Sequence, residues 1–172
     1  MSSEPTGLDG AVVVPLEWRA DDRGAFTELF RGSWMPEAPP MVQANLSRSK
    51  AGVLRGMHFH RQQADFWALL SGKQFVALYD LRPGSTTNGQ KAELWMDGSE
   101  QLRGLYVPPG VAHGFYAETE VELLYLVDHY YTGDDEHGFI WNDPDAGINW
   151  PNSDPILSDR DRANPLLSEV LF

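Results

Sequence analysis

The chain contains no cysteine. That absence excludes a disulfide framework, a zinc–thiolate centre and a cysteine nucleophile. No apolar run approaches the roughly 20 residues needed to span a bilayer. Cationic side chains are scarce: 13 Lys and Arg stand against 25 Asp and Glu, for a net charge of −12. Such a surface repels nucleic acid and anionic membranes, and no Lys/Arg run offsets it, so neither is expected as a partner. Any phosphate-ester ligand would need arginines gathered locally against the global field. Internal repeats and low-complexity tracts are missing, and helical periodicity is poor. The opening residues, MSSEPTGLDGAVVV, lack a basic region followed by an apolar core. They do not read as a secretory signal, and a cytoplasmic location is the expectation.

What is present suits one domain of 172 residues, with 42% hydrophobic residues and six tryptophans to pack its core. β-Branched and aromatic segments recur at short intervals between Gly, Pro, Asn and Asp. Strands are expected near 11–15, 25–30, 41–46, 53–59, 65–71, 74–81, 92–96, 104–107, 113–117 and 121–128. Phe75, Ala77, Tyr79 and Leu81 fall on one face of a strand, Gln74, Val76, Leu78 and Asp80 on the other. Leu123, Tyr125 and Val127 alternate in the same way with Leu124, Leu126 and Asp128. Short helical turns are expected only near 33–38 and 97–102. The pattern is all-β: a sandwich, jelly roll or barrel. The tail, 142–172, is rich in Asp, Asn and Pro but carries Trp141, Ile148, Trp150 and Leu166 nearby or within it. It is expected to pack back on the barrel as irregular structure.

Three of the five histidines stand in informative places. His58 and His60 lie two apart on an expected strand and so share a face. Asp65 opens the next strand, and His113 follows the turn at Pro108–Gly110. One H-x-H pair is ordinary for a polar strand face. Gly52, His58, His60, Asp65 and Gly72, however, match the spacing of the first cupin signature, with Asp for its usual Glu. Pro108, Gly110 and His113 match much of the second. His58, His60, Asp65 and His113 therefore form a candidate ligand set for a divalent metal.

Longer segments resemble the dTDP-4-dehydrorhamnose 3,5-epimerase family, a cupin-fold group, from about residue 12 to about 167. They are DDRGAFTELF (21–30), VQANLSRSKAGVLRGMHF (42–59), YDLRPGS (79–85), LYVPPGVAHGF (105–115), LLYLVDHYYTGDDEHGFIWNDPDAGINWP (123–151) and ILSDRDRANPLL (156–167). The resemblance implies a cupin-type jelly-roll barrel, a homodimer, no required cofactor and a 4-keto-6-deoxy nucleotide sugar as substrate. A base removes the proton α to the ketone, an enolate forms, and a proton returns from the other face. Imidazole suits the base, and donors or positive charge must face the enolate oxygen. His58 corresponds to the base, Asp161 to the carboxylate that orients it, and Tyr125 to the acid on the opposite face. Arg23, Phe26, Glu28, Gln43, Asn45, Arg55, Gln63, His113 and Arg160 match substrate-binding positions. Arg23, Arg55 and Arg160 would supply the local basic site that a diphosphate requires.

The chain departs from the family at one critical place. The family has a lysine two residues beyond a Gln, where it stabilises the enolate. Here Gln63 is followed by Ala64 and Asp65. His60 stands where the family has Gln. Together the two changes complete the candidate metal set, and a cation held there would replace the lysine. A metal-bound His58 would then no longer be a free base. Three functions compete: an epimerase at C3, C5 or both; a keto-sugar isomerase or metal-dependent cupin on a related sugar; and a sugar-nucleotide-binding module without catalysis. The apolar AVVV segment (11–14) is a candidate for pairing with a second subunit.

Overall fold

Alternation with period 2 assigns each strand face its own apolar partner. In the strand Lys73–Asp80, Val76 and Leu78 enter one cluster while Phe75, Ala77 and Tyr79 enter another. In the strand Val121–Val127, Leu123 and Tyr125 turn one way, Leu124 and Leu126 the other. Both faces of these strands are covered, so their sequences read as nearly continuous apolar runs.

The computed structural model describes residues 3–35, 37–99 and 101–170. Its strands are β1 (Glu4–Pro5), β2 (Val12–Pro15), β3 (Arg19–Asp21), β4 (Gly24–Phe26), β5 (Gln43–Ser49), β6 (Leu54–Phe59), β7 (Asp65–Ser71), β8 (Lys73–Asp80), β9 (Lys91–Asp97), β10 (Arg103–Val107), β11 (Val111–Ala117), β12 (Val121–Val127) and β13 (His137–Gly138). One sheet runs β1-β2-β10-β7-β12-β5 and the other β13-β6-β11-β8-β9, all antiparallel, with β3–β4 as a separate hairpin. The inner faces meet around Val13, Trp67, Leu69, Val76, Leu78, Leu105, Phe115 and Leu123. This is the all-β, cupin-type jelly-roll barrel expected from the sequence.

Each outer face carries a coat. Phe66, Ala68, Leu102 and Tyr106 are covered by residues from the 29–41 segment, including Phe30, Trp34 and Met35. Leu54, Met57, Phe75 and Ala77 are covered by Phe139, Trp141, Ala146 and Trp150. The tail thus packs back as expected, with the Trp150 indole donating to the Trp141 carbonyl at 2.7 Å. It also caps the edge of β6: β13 pairs with it, and Ile156 bridges to Val53 in parallel.

Several expectations need correction. AVVV is not a free edge, because β2 is already paired with β1 and β10 in its own chain. Near 97–102 there is no helix among the described residues: Asp97 and Gln101 form an antiparallel bridge. Near 33–38 the helical turn is a single 3-10 turn, Gly32–Trp34. Positions 36 and 100, which fall in these two expected turns, lie outside the described residues. The tail contains one element that composition hid, the short helix α1 (Asp159–Ala163), capped by Ser158, whose hydroxyl accepts from the Asp161 amide.

The segment YDLRPGS has a structural reason. The Asp80 carboxylate is fully buried and accepts from the Arg82 guanidinium, the Arg82 amide and the Ser85 and Thr87 hydroxyls. Burial pushes its pKa up, but the Arg82 guanidinium and the two hydroxyls outweigh burial and hold it well below the ordinary carboxylate value. The Arg82 guanidinium also donates to the Asp9 carbonyl, which ties the N-terminal segment to the turn. Gly56 is a second fixed point. Its φ is +143°, and a Cβ there would lie 2.7 Å from the Gly114 Cα. Only glycines let β6 and β11 come this close, beside the paired residues His58 and His113.

Two stability measurements check these points. Asp80→Asn is expected to cost about 3 kcal/mol at pH 7, since it removes the buried carboxylate that compensates the partly buried Arg82 guanidinium. The folded carboxyl titrates below its unfolded value, so its contribution is complete above pH ~4 and fades as pH falls further. The gap between wild type and Asp80→Asn in urea titrations should therefore narrow below pH ~4. Gly56→Ala is expected to cost about 2–4 kcal/mol through overpacking and positive-φ strain. An unchanged denaturation midpoint would contradict the close β6–β11 approach.

Candidate functional site

A cavity of about 450 Å³ opens between the two sheets, lined by both polar and apolar side chains and within the range of small-ligand sites. Its walls come from both sheets. β6 and β11 contribute Arg55, His58, His113 and Phe115, while β5, β7 and β12 contribute Gln43, Asn45, Ser47, Asp65, Trp67, Leu123 and Tyr125. The loop after β6 adds His60 and Gln63, and the segment before β13 adds Glu136. Strand alternation explains the recruitment: Tyr125 and Leu123 share a face of β12, and Asp65 and Trp67 share a face of β7.

His58 and Asp161 meet behind this wall. The His58 Nε2 and an Asp161 carboxylate oxygen are 2.5 Å apart, although 103 residues separate them in the chain. Asp161 is buried at the first turn of α1. Burial raises its pKa, but the hydrogen bond and charge of His58 dominate and bring it below the ordinary value. An ionised carboxylate can only accept, so Nε2 carries a proton, and in the neutral ring Nδ1 is the lone-pair nitrogen. Tyr125 lies in the opposite sheet. Burial raises its phenol pKa, and the nearby charges of Asp65 and Glu136 raise it further. It is therefore protonated at neutral pH and able to donate.

A second group lies beside this pair. His60, Asp65 and His113 are all buried, and one ligand atom from each lies within 4.8 Å of the others. Burial lowers the His113 pKa to about 4 against the opposing effect of Asp65, so this ring is neutral. Of the four candidate ligands expected from spacing, His60, Asp65 and His113 form this close group among the described residues, while the His58 Nε2 faces Asp161.

The expected binding residues divide in two. Gln43, Asn45, Arg55, Gln63 and His113 line the cavity. Arg23, Phe26 and Glu28 do not: the first two lie on the exposed β3–β4 hairpin and Glu28 just after it. Arg23 pairs with Asp21 at 2.6 Å, and Glu28 pairs with Arg31. Arg160 pairs with Glu136 at 2.6 Å, near the cavity but outside its wall. The expected three-arginine cluster is thus not assembled within one chain; of these three, Arg55 alone faces the cavity.

Sequence reasoning missed Glu136, Trp67, Phe115, Tyr131 and the organising role of Asp135. The Asp135 carboxylate accepts the amides of Arg61, Gln62 and Gln63, and its carbonyl accepts from the His60 Nδ1 at 2.8 Å. GDDEHG reads as a solvated charge run, so no local signal marks it. Among the described residues, no helix is long and apolar enough to cross a membrane.

Known proteins of the same build share this architecture. The family model described as dTDP-4-dehydrorhamnose 3,5-epimerase matches residues 5–169. A Streptomyces griseus protein of that name is 37% identical over 175 residues, covering 96% of this chain and 86% of that protein. A dTDP-4-dehydrorhamnose 3-epimerase from Streptomyces niveus is 37% identical over 178 residues, covering 99% of this chain and 86% of that protein. The crystal structure of NovW, a 4-keto-6-deoxy sugar epimerase from Streptomyces spheroides, superposes with a TM-score of 0.90 at 36% identity, covering 98% of this chain and 88% of NovW. With the match running through almost the whole chain, this protein belongs to the dTDP-4-dehydrorhamnose 3,5-epimerase family.

Proposed function

We propose that this chain is a nucleotide-sugar epimerase acting on a dTDP-4-keto-6-deoxyhexose, by removal and return of a proton at C3, C5 or both. The observation that carries the reading is the His58–Asp161 pair at 2.5 Å, set in one wall of a cavity whose opposite wall holds Tyr125. His58 Nδ1 takes the proton α to the ketone. Asp161 holds the other ring nitrogen and stabilises the imidazolium that forms. Tyr125 returns a proton to the opposite face of the carbon, which inverts it. Proton traffic of this kind requires no redox or group-carrying cofactor. Gln43, Asn45 and Gln63 offer amides to the sugar hydroxyls, and the Arg55 guanidinium offers a two-pronged donor to phosphate. A substrate of this class accords with the expected cytoplasmic location.

The stranded residues fit a homodimer. All six residues of β3 and β4 are exposed, and Phe26 is 62% exposed at the end of the hairpin. The neighbouring edge strand β5 exposes Leu46, and Val42 beside it is exposed too. A second copy covering this surface would carry Arg23, Phe26 and Glu28 towards its partner's cavity, restoring the basic charge that one chain lacks. Light scattering should return twice the chain mass. Phe26→Ala and Arg23→Ala should weaken nucleotide-sugar binding, and a monomer with full affinity would sink this part of the reading.

Exchange in heavy water, followed by NMR of the keto-sugar nucleotide, tests the chemistry. Wild type should wash deuterium into C3, C5 or both. His58→Asn should lose exchange by about 10³-fold, the range of a lost general base. Asp161→Asn should lose about 10²-fold or more through loss of the oriented ring. Tyr125→Phe should keep exchange, because His58 can return deuterium to the face it came from, while inverted product falls sharply. Binding without exchange in the wild type would refute the epimerase reading.

A further inference from the structure

The cavity wall holds a set of hydrogen-bond acceptors that lacks a positive centre. The His60 Nδ1 faces the Asp135 carbonyl at 2.8 Å, and the His113 Nδ1 faces the Val111 carbonyl at 3.1 Å. A carbonyl oxygen only accepts, so each Nδ1 must be the donor. In the neutral ring this leaves Nε2 as a lone-pair nitrogen. The His113 Nε2 lies 3.6 Å from an Asp65 carboxylate oxygen, too far for a hydrogen bond and with a lone pair on both sides. All three side chains are buried, at 6%, 4% and 6% exposure for His60, Asp65 and His113. Two lone pairs and a buried carboxylate repel one another, and a cation among them relieves that repulsion.

We propose that His60, Asp65 and His113 form a two-histidine, one-carboxylate site for a divalent first-row transition ion in the wall of the substrate cavity. The donor set decides the class of ion. Imidazole nitrogens with one carboxylate suit iron, cobalt, nickel or zinc, whereas magnesium and calcium take oxygen cages. The spacing fits, since ligands about 2.1 Å from a tetrahedral ion stand about 3.4 Å apart. The supporting contacts fit as well. Metal-bound imidazoles commonly donate their other N–H to a backbone carbonyl, and both rings do so here. Asp65 is held by the Gln63 amide at 2.8 Å and the Trp67 indole at 3.2 Å, which fixes its carboxylate and leaves lone pairs unused.

The placement bears on the reaction. Asp65 occupies the position where the family resemblance puts a lysine, and a bare carboxylate there opposes an enolate. A bound cation would supply Lewis-acid charge for the ketone oxygen at that position. His58 stays free to act as the base, because it belongs to the Asp161 pair and not to this site. Only this role rests on the epimerase reading; the binding site does not.

The test uses the full chain, purified without a histidine tag, stripped with chelator and dialysed. Cobalt(II) is added and followed by equilibrium dialysis with metal analysis and by visible absorption. About one cobalt per chain is expected, with a d–d band that zinc abolishes and about a hundredfold excess of magnesium does not. Asp65→Asn and His60→Gln should each weaken binding by at least about tenfold, with folding of the stripped variants checked by circular dichroism. His58→Asn should keep the ion. Wild-type cobalt below about 0.1 per chain would overturn the site, whatever the variants do. So would cobalt retained at full affinity by folded Asp65→Asn, or lost in folded His58→Asn. Displacement by magnesium would overturn the transition-ion assignment. Because these readouts are metal content and spectrum, a failed exchange assay and a failed metal site remain distinct results.

Discussion

The hydrogen bond between His58 and Asp161 joins a barrel strand to a helix of five residues at the far end of the chain. That helix is too short to be stable alone. It is held because the tail lays Phe139, Trp141 and Trp150 on the outer face of the β6–β11–β8 sheet. The apolar coat fixes the path of the chain, the path delivers Asp161, and Asp161 fixes the tautomer of His58. The geometry of the His58–Asp161 pair is thus a consequence of hydrophobic packing on the side of the sheet away from the cavity.

The same sheet passes information in the other direction. The close contact of Gly56 and Gly114 sets how β6 lies against β11, and so how His58 stands beside His113. One histidine is turned to Asp161 and the other to Asp65. Two imidazoles on paired residues therefore serve different partners. This separation leaves the proposed base outside the proposed ligand set and so avoids the conflict that the spacing alone raises for His58.

Electrostatics set the remaining constraint. The chain is strongly acidic, and its cavity mixes Asp65 and Glu136 with a single arginine from the expected cluster. A dianionic diphosphate and an enolate both need positive charge. The arginines that match binding positions sit elsewhere in the single chain, Arg23 on an exposed hairpin and Arg160 against Glu136. A second copy and a bound cation are two independent ways to supply the missing charge, one at the nucleotide end and one at the keto end.

Most of the barrel was legible locally. β7 falls on the expected residues 65–71, and β8, β9, β10 and β12 lie within one residue of expectation at each end, because period-2 alternation and Gly/Pro turns are properties of neighbouring residues. The segments that carry His58, Tyr125 and Asp161 were marked by the family resemblance, and the structure brings His58 and Asp161 into contact. The short helix α1, the latch made by Asp135 and the place of Glu136 were not, since their partners lie 24 to 103 residues away. By itself, the sequence determined the strands, the turns and the chemical types available to the cavity. Only the tertiary structure decided which histidine bonds which carboxylate, which arginines reach the cavity, and that β2 is already paired within its own chain. Alternation tells a side chain which face it is on, but the partner on that face comes from a distant part of the chain, and its identity depends on how the sheets are laid together.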